Sequence, residues 1–414
     1  MKINTINLAK FCLLVFLLYI NWFKETFSDV QPVLYLSVGL AILFCFISLE
    51  GRTPYLGKQQ SIILRVFFLY AIYELFVSFF FSRSLSLSIS SLTTVFEFLL
   101  VLYCVDMISN LEGNADWFMD IMRIVAIVCA AQAILFGKEF MNGVVVITMS
   151  NHNNPNALAF IMLFGIFTLV RNQKKLFKHL VLNTILIVAF LFVIIRSGSR
   201  KCLISVLMLI VFFIIEYFQS IKGRKQIGNN QIFSMILVAG IAFAFYYVKN
   251  LYSGSASYQR MIALETQDGV SSRITLYREA FELFQRFPIF GVGFDQVKVW
   301  STSGLYSHST YAEVLACGGI IGVLIFFVPI LIEAANMLKY TLAENDPEIK
   351  YELVMLITGF LCELFLGIGQ IWIEGFSHMS FLFFLFWRYR NLIDRDNMIN
   401  AREEKRTCRY IIKR

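Results

Sequence analysis

Residues 177–195 read FKHLVLNTILIVAFLFVII and residues 200–218 read RKCLISVLMLIVFFIIEYF, two apolar runs separated only by Arg196-Ser-Gly-Ser199. A helix needs about 20 mostly apolar residues to cross the roughly 30 Å hydrocarbon core of a bilayer. Each run meets that length, so the pair predicts two membrane spans joined by a very short turn. Runs of the same kind recur at 8–23, 31–49, 61–81, 88–109, 118–137, 155–170, 231–249, 309–338, 351–370 and 374–391. Together they give about twelve helices. Of the 414 residues, 58% are hydrophobic and 15% charged, where a soluble domain carries roughly 25% charged residues.

The sequence therefore predicts an all-α, polytopic integral membrane protein. Residues 1–414 read as a single membrane domain, with one long extracytoplasmic loop at about 250–307 and a basic cytoplasmic tail at 392–414. The run at 8–23 has no A-x-A type cleavage site and reads as a retained helix that also directs insertion. The eight cysteines, including Cys12, Cys202, Cys317 and Cys408, show no CxxC spacing and no neighbouring histidine, so neither a disulfide framework nor a zinc site is indicated. The formal charge of +8 gathers beside the apolar runs. That pattern encodes topology and gives no reason to expect nucleic acid as a partner.

With a cytoplasmic N-terminus, the inside loops include Arg171–Lys178, Lys222–Lys225 and the tail after Trp387, as the positive-inside rule requires. Both termini are then cytoplasmic. Two loops on the outer face defy the pattern. One is Arg196-Ser-Gly-Ser-Arg200-Lys201, with three cations on the side that normally avoids them. The other is the long loop, whose size marks it as functional.

Within the long loop, Ile274, Tyr277, Phe281 and Phe284 recur at helical spacing beside Leu276, Ala280, Leu283 and Phe287. An amphipathic helix lying at the membrane interface fits this pattern, with Ser271 or Ser272 as its N-cap and Pro288 ending it. Phe290-Gly-Val-Gly-Phe294 then follows as a tight apolar turn. Arg200 and Arg273 both open helices, where a cation opposes the positive end of the dipole. Arg278 and Arg286 flank Glu282 at ion-pair spacing, whereas Arg273 has no acidic partner at Leu276 or Tyr277. Guanidinium groups beside free helix N–H groups suit phosphate oxygens, a pyrophosphate above all. Anionic lipid headgroups satisfy the same arginines, and Arg196 and Lys201 lean toward that second reading.

His308 lies in Tyr306-Ser-His-Ser-Thr-Tyr311, ahead of a helix whose expected capping box is Thr310 with Glu313. A neighbouring helix N-terminus keeps an imidazole neutral, able to accept a proton from a sugar hydroxyl; a purely structural histidine is the competing reading. Asn151-His-Asn-Asn-Pro-Asn156 offers amides to sugar hydroxyls or simply an N-cap turn. His179 and His378 read as structural, and Gly318, Gly319 and Gly322 as a stripe that lets helices pack closely. The intramembrane acids Glu74, Glu97, Glu333 and Glu363 are spread out without evident pairing. A proton relay among them would favour a transporter.

The order Arg196-Ser-Gly-Ser-Arg200, Ser272-Arg273-Ile-Thr-Leu-Tyr-Arg-Glu-Ala280, Phe287-Pro-Ile-Phe-Gly-Val-Gly-Phe294 and His308-Ser-Thr-Tyr-Ala-Glu-Val-Leu-Ala-Cys-Gly-Gly-Ile-Ile-Gly322 resembles the O-antigen ligase and polymerase superfamily. The resemblance spans Arg196 to Gly322 in motif, plus the Pro155-Asn156 pair. It implies an enzyme of the bacterial inner membrane, with its site on the periplasmic face. That enzyme transfers glycan from an undecaprenyl-diphosphate-linked oligosaccharide donor to a glycan acceptor, with inversion and without a metal or other cofactor. By this resemblance the catalytic residues are His308, Arg200 and Arg273. Arg196, Arg278, Asn156, Gly291 and Gly293 complete the candidate substrate-binding set. One departure stands out, because the family's usual asparagine after the histidine is Ser309 here.

A polymerase of O-antigen or capsule repeats is the first reading, on the divergence of the motifs and the richness in Phe, Ile and Asn. A ligase that transfers finished chains to a lipid A core or to protein is the second. A flippase for lipid-linked oligosaccharide is the rival of another class, and it predicts internal repeats that the sequence lacks. The lipid bilayer is a partner throughout, and a chain-length regulator protein stands as a candidate one.

Overall fold

The computed structural model describes residues 5–20, 31–48, 62–136, 138–140, 144–146, 155–221 and 267–412. The helices of the first half are α1 (Thr5–Leu18), α2 (Gln31–Ser48), α3 (Ile62–Phe81), α4 (Leu85–Glu112), α5 (Asp116–Phe136), α6 (Pro155–Val170), α7 (Gln173–Lys178), α8 (Leu180–Ser197) and α9 (Arg200–Ile221). The second half carries α10 (Gln267–Arg286), the short α11 (Val297–Trp300), α12 (Thr310–Ala343), α13 (Pro347–Gly367) and α14 (Phe376–Ile412). A small antiparallel hairpin, β1 (Lys138–Phe140) with β2 (Val144–Val146), is the one β element among the described residues. Among the described residues five helices, α3, α4, α5, α8 and α12, are long and apolar enough to cross a membrane. The expected span at 231–249 lies outside the described residues.

The bundle is packed by aromatic and branched side chains that leave polar groups few places to go. Phe160, Phe164 and Phe167 of α6 meet Phe381 of α14 with ring centroids 6.1, 4.6 and 4.8 Å apart. Phe67 and Tyr70 of α3 meet Phe326 of α12 at 5.5 and 5.0 Å. Such rings bury large apolar areas and add edge-to-face attraction. In lipid it is this close packing, more than water exclusion, that holds helices together.

Charge is concentrated at one end of the bundle. Arg171, only 2% exposed, reaches Asp116 at 2.6 Å and Glu352 at 3.3 Å. Arg388 closes the group by gripping both oxygens of Glu352, at 2.7 and 3.1 Å. Glu333 pairs with Arg390, while His378 meets Glu363 at 2.9 Å nearer the other end, beside the junction of α13 and α14. The partners of Glu333 and Glu363 come from other helices, which periodicity along one helix does not reveal.

The opposite end is organised by a break in α12. Gly319 has φ 60° and ψ −162° inside that helix, a conformation essentially confined to glycine. The backbone groups freed by the break bond to the Phe287–Phe294 turn. Ile320 N–H and Ile321 N–H donate to the carbonyls of Pro288 and Ile289, at 2.9 and 3.3 Å. Val292 N–H and Gly293 N–H donate to the carbonyls of Ala316 and Cys317, at 3.1 and 2.9 Å. Tyr73 O–H donates to the Gly318 carbonyl at 2.7 Å. The three glycines read as a packing stripe therefore also include a designed interruption, and Gly291 and Gly293 are docked into it. A Cβ at Gly319 would run into the Ile289 carbonyl, and one at Gly291 into that of Cys317. Gly319→Ala is expected to destabilise the protein by about 2 kcal/mol or more, read as a lowered unfolding midpoint in detergent, whereas alanine at the open position Gly39 should do little.

The turn is also bolted to the α3–α4 junction. Gln296, fully buried, accepts from Arg83 N–H and Ser84 N–H at 3.0 and 3.1 Å, and donates to the Ser84 carbonyl and the Ser88 hydroxyl at 2.9 and 2.8 Å. All four hydrogen-bonding sites of its amide are thus used. The long loop is anchored at its C-terminal half.

Candidate functional site

Helix α10 lies on α12 through Ala280 and Leu283, which cluster with Val297, Ala316 and Cys317. Ile274 and Phe281 point outward and stay exposed, as an interfacial helix requires. Its start corrects the expectation from sequence. The helix begins at Gln267, so Ser271 and Ser272 fall within it and Arg273 sits in its second turn. The dipole argument therefore applies to Arg200, the first residue of α9, and no longer to Arg273.

A second correction concerns the helix after His308. Its N-cap is Ser309, whose hydroxyl accepts from Ala312 N–H, and Thr310 is already helical. Glu313 reaches further back than a capping box, accepting from Ser307 N–H at 2.9 Å and from the Ser307 hydroxyl at 2.5 Å. Serine caps a helix as well as asparagine does, so the family's substitution at this position keeps the local architecture. Between these two anchored serines, His308 is held at φ 57°. Left-handed backbone in a non-glycine residue costs roughly 1–3 kcal/mol and persists only where its surroundings impose it.

The histidine ring packs on Tyr306 with centroids 4.1 Å apart. Burial first, then the positive charges of Arg273 and Lys201, lower its pKa below the ordinary histidine value. Three elements converge on the carbonyls of Gly367–Gly369 beside it: the His308 loop through Ser309, α10 through Tyr277 and α9 through Lys201. Tyr306 is raised by burial and by the carboxylates of Glu374 and Glu313, with Arg273 opposing them. Tyr277, raised by burial against the pull of Arg273, donates its O–H to the Ile368 carbonyl at 2.6 Å.

The floor under these residues is the linker between α13 and α14, Ile368–Gly375, which the sequence reading reduced to a three-residue gap. Its signal was present in Gly367, Gly369, Gln370, Glu374 and Gly375, an unusual density of glycine and polar residues between apolar runs.

The remaining candidates are placed as follows. Arg200 is exposed one residue before Lys201. Arg196 is half-buried in the last turn of α8. Asn156 stands at the start of α6, one turn before Phe160, whose ring stacks on His378 at 3.7 Å; residues 151–154 of that motif lie outside the described residues. Arg278 is exposed on the side of α10 away from α12, and the expected pairs with Glu282 do not form. Glu279 is the engaged acid instead, accepting from Thr302 and from Ser303 at 3.0 Å. Gly291 and Gly293 are buried against Cys317 and Ser78. Among the described residues no three His, Cys, Asp or Glu side chains converge as metal ligands.

Fold and site together define a multi-pass membrane protein with a histidine under the influence of two cations at one end of its helix bundle. Residues 185–327 match the family model described as O-antigen ligase, a stretch that runs from α8 through Arg200, Arg273 and His308 to the middle of α12. Over that stretch the chain is similar to the O-antigen ligase and polymerase superfamily, a glycosyltransferase-like family. No curated protein matches it significantly.

Proposed function

We propose that this protein joins undecaprenyl-diphosphate-linked oligosaccharide repeats into an O-antigen or capsular polysaccharide on the outer face of the bacterial inner membrane, with about twelve spans and both termini in the cytoplasm. The observation that carries the reading is that α9, α10 and the His308 loop are tied to neighbouring linker carbonyls, with Arg273 and Lys201 acting on His308 and no carboxylate paired to either cation among the described residues. Uncompensated cations at a membrane face suit a diphosphate, and a neutral imidazole beside them suits a hydroxyl.

In the proposed reaction an acceptor hydroxyl attacks the anomeric carbon of the donor sugar from the face opposite the diphosphate, which gives inversion. The C–O bond to the diphosphate breaks, and its electron pair leaves on the lipid diphosphate. Arg273 and Arg200 stabilise that charge in place, and His308 takes the proton of the hydroxyl. Arg196, Arg278 and Asn156 extend the binding surface, while Gly291 and Gly293 shape it through the docked turn. No metal or other cofactor takes part, and a chain-length regulator protein is a further proposed partner.

Ligation to a lipid A core or to protein is the second reading, favoured by the description of the matching family model. Deleting the gene in its host and comparing surface glycans with those of a His308→Ala strain separates the two. Single-repeat glycans mean polymerase. Loss of attached glycan with long lipid-linked chains accumulating means ligase, and failure of lipid-linked repeats to reach the outer face would overturn both in favour of a flippase.

The lowered pKa of His308 sets a pH dependence. Its neutral form is the base, and the folded protein holds its pKa below 6.5, so kcat/KM should stay level through neutral pH and fall only on the acid side of that value. An acid limb centred above the ordinary histidine range would contradict the assignment.

A further inference from the structure

We propose that Lys201 is a positioning residue of the transfer site, a latch that ties the first turn of α9 to the α13–α14 linker and thereby fixes α9, α10 and the His308 loop relative to one another. The inference rests on the transfer reading given above.

Four consecutive carbonyls, from Gly367 to Gln370, are taken by side chains of surrounding elements. The Ser309 hydroxyl donates to Gly367 at 3.4 Å and the Tyr277 hydroxyl to Ile368 at 2.6 Å. Lys201 Nζ donates to Gly369. Thr310 donates to Gln370 through its N–H at 3.1 Å and its hydroxyl at 2.6 Å, and the same hydroxyl accepts from Trp372 N–H at 3.0 Å. The strip is a hub on which α9, α10 and the His308 loop are registered, and Lys201 is the α9 tie. Gly369 fits this role because it has no side chain. A Cβ there would lie 2.7 Å from Lys201 Nζ and 3.3 Å from its Cδ and Cε.

A neutral donor could make the same bond, but lysine adds a charge. An ammonium binds a carbonyl more strongly than a neutral donor does, and it has two further N–H donors. The charged and titratable groups around His308 are Arg273 from α10 and Lys201 from α9, with Tyr306 in the same loop. Glu313 of α12 and Glu374 of the linker act on Tyr306. Lys201 therefore does two things at once. It sets the position of the floor, and it adds to the field that keeps His308 unprotonated.

The test uses the full chain in proteoliposomes with a polyprenyl-diphosphate-linked oligosaccharide, and three variants: Lys201→Met, Lys201→Arg and Gly369→Ala. Misplacement of a site by about 1 Å costs up to about 10²-fold, so Lys201→Met and Gly369→Ala should lose roughly tenfold or more in kcat with a smaller change in donor KM, and Lys201→Arg should recover much of the loss. The second readout needs no turnover. Diethyl pyrocarbonate acylates neutral imidazole, and the pH midpoint of His308 labelling, followed by mass spectrometry, should move to higher pH in Lys201→Met and stay near the parent value in Lys201→Arg. A Lys201→Met protein with parental kcat, or one whose labelling midpoint does not move, overturns the latch. Failure of the transfer reading would show separately, as full activity in His308→Ala.

Discussion

Replacing His308 by alanine should lower glycan transfer by about 10²- to 10⁴-fold, the usual contribution of a positioned general base. The expectation draws on three independent features of the position. The ring is half-buried against Tyr306, its charged form is disfavoured by burial and by two cations, and its backbone is held at φ 57° by serines bonded on either side. Alanine in that backbone conformation is also strained, so part of its effect could be structural. Asparagine separates the two contributions, because it tolerates left-handed backbone far better than alanine yet has no basic nitrogen. His308→Asn should unfold at the parental temperature in detergent and remain as inactive as His308→Ala. An asparagine variant that kept parental turnover would remove His308 from the chemistry and leave it a loop residue.

Most of the helices were legible in the sequence because a membrane span is announced by length and hydrophobicity alone. Phe376–Ile412 shows the limit of that signal, since the apolar run ends near Arg388 while the helix continues through the polar tail. Arg200, Arg273 and His308 stand out as candidates for a different reason. Each is a polar residue placed against a local rule, at a helix start, on an amphipathic face or before a cap, and such conflicts stand out along a single chain. The parts that stayed hidden depend on contacts between distant segments. Nothing near Gly319 in sequence says that α12 breaks there, because the groups that satisfy the break come from Pro288–Gly293. Nothing near Lys201 points to Gly369, 168 residues away. Pairings such as Glu363 with His378 and Arg171 with Glu352 are of the same kind. Periodicity describes one element at a time, and the floor of the site is made between elements.

Arg273→Ala should lower kcat/KM by about 10²- to 10³-fold, the range for removing one preorganised donor to developing charge, and Arg273→Lys should recover only part of it. Lysine restores the charge but not the planar fork that grips two phosphate oxygens at once. A second effect follows from the same geometry. After burial, Arg273 is the larger of the two cations that hold His308 down, so losing it favours the imidazolium and moves the acid limb of the pH–rate profile to higher pH. The lysine variant should leave that limb near its parental place while the rate remains depressed. The two measurements thus divide the work of one side chain. The rate reports on diphosphate geometry, which lysine cannot reproduce, and the limb reports on charge at His308, which it can. If alanine and lysine variants moved the limb equally, the charge of Arg273 would not reach His308; if neither lowered the rate, Arg273 would belong with the lipid-facing cations, and the diphosphate would have to be held by Arg200 and Lys201 at the start of α9.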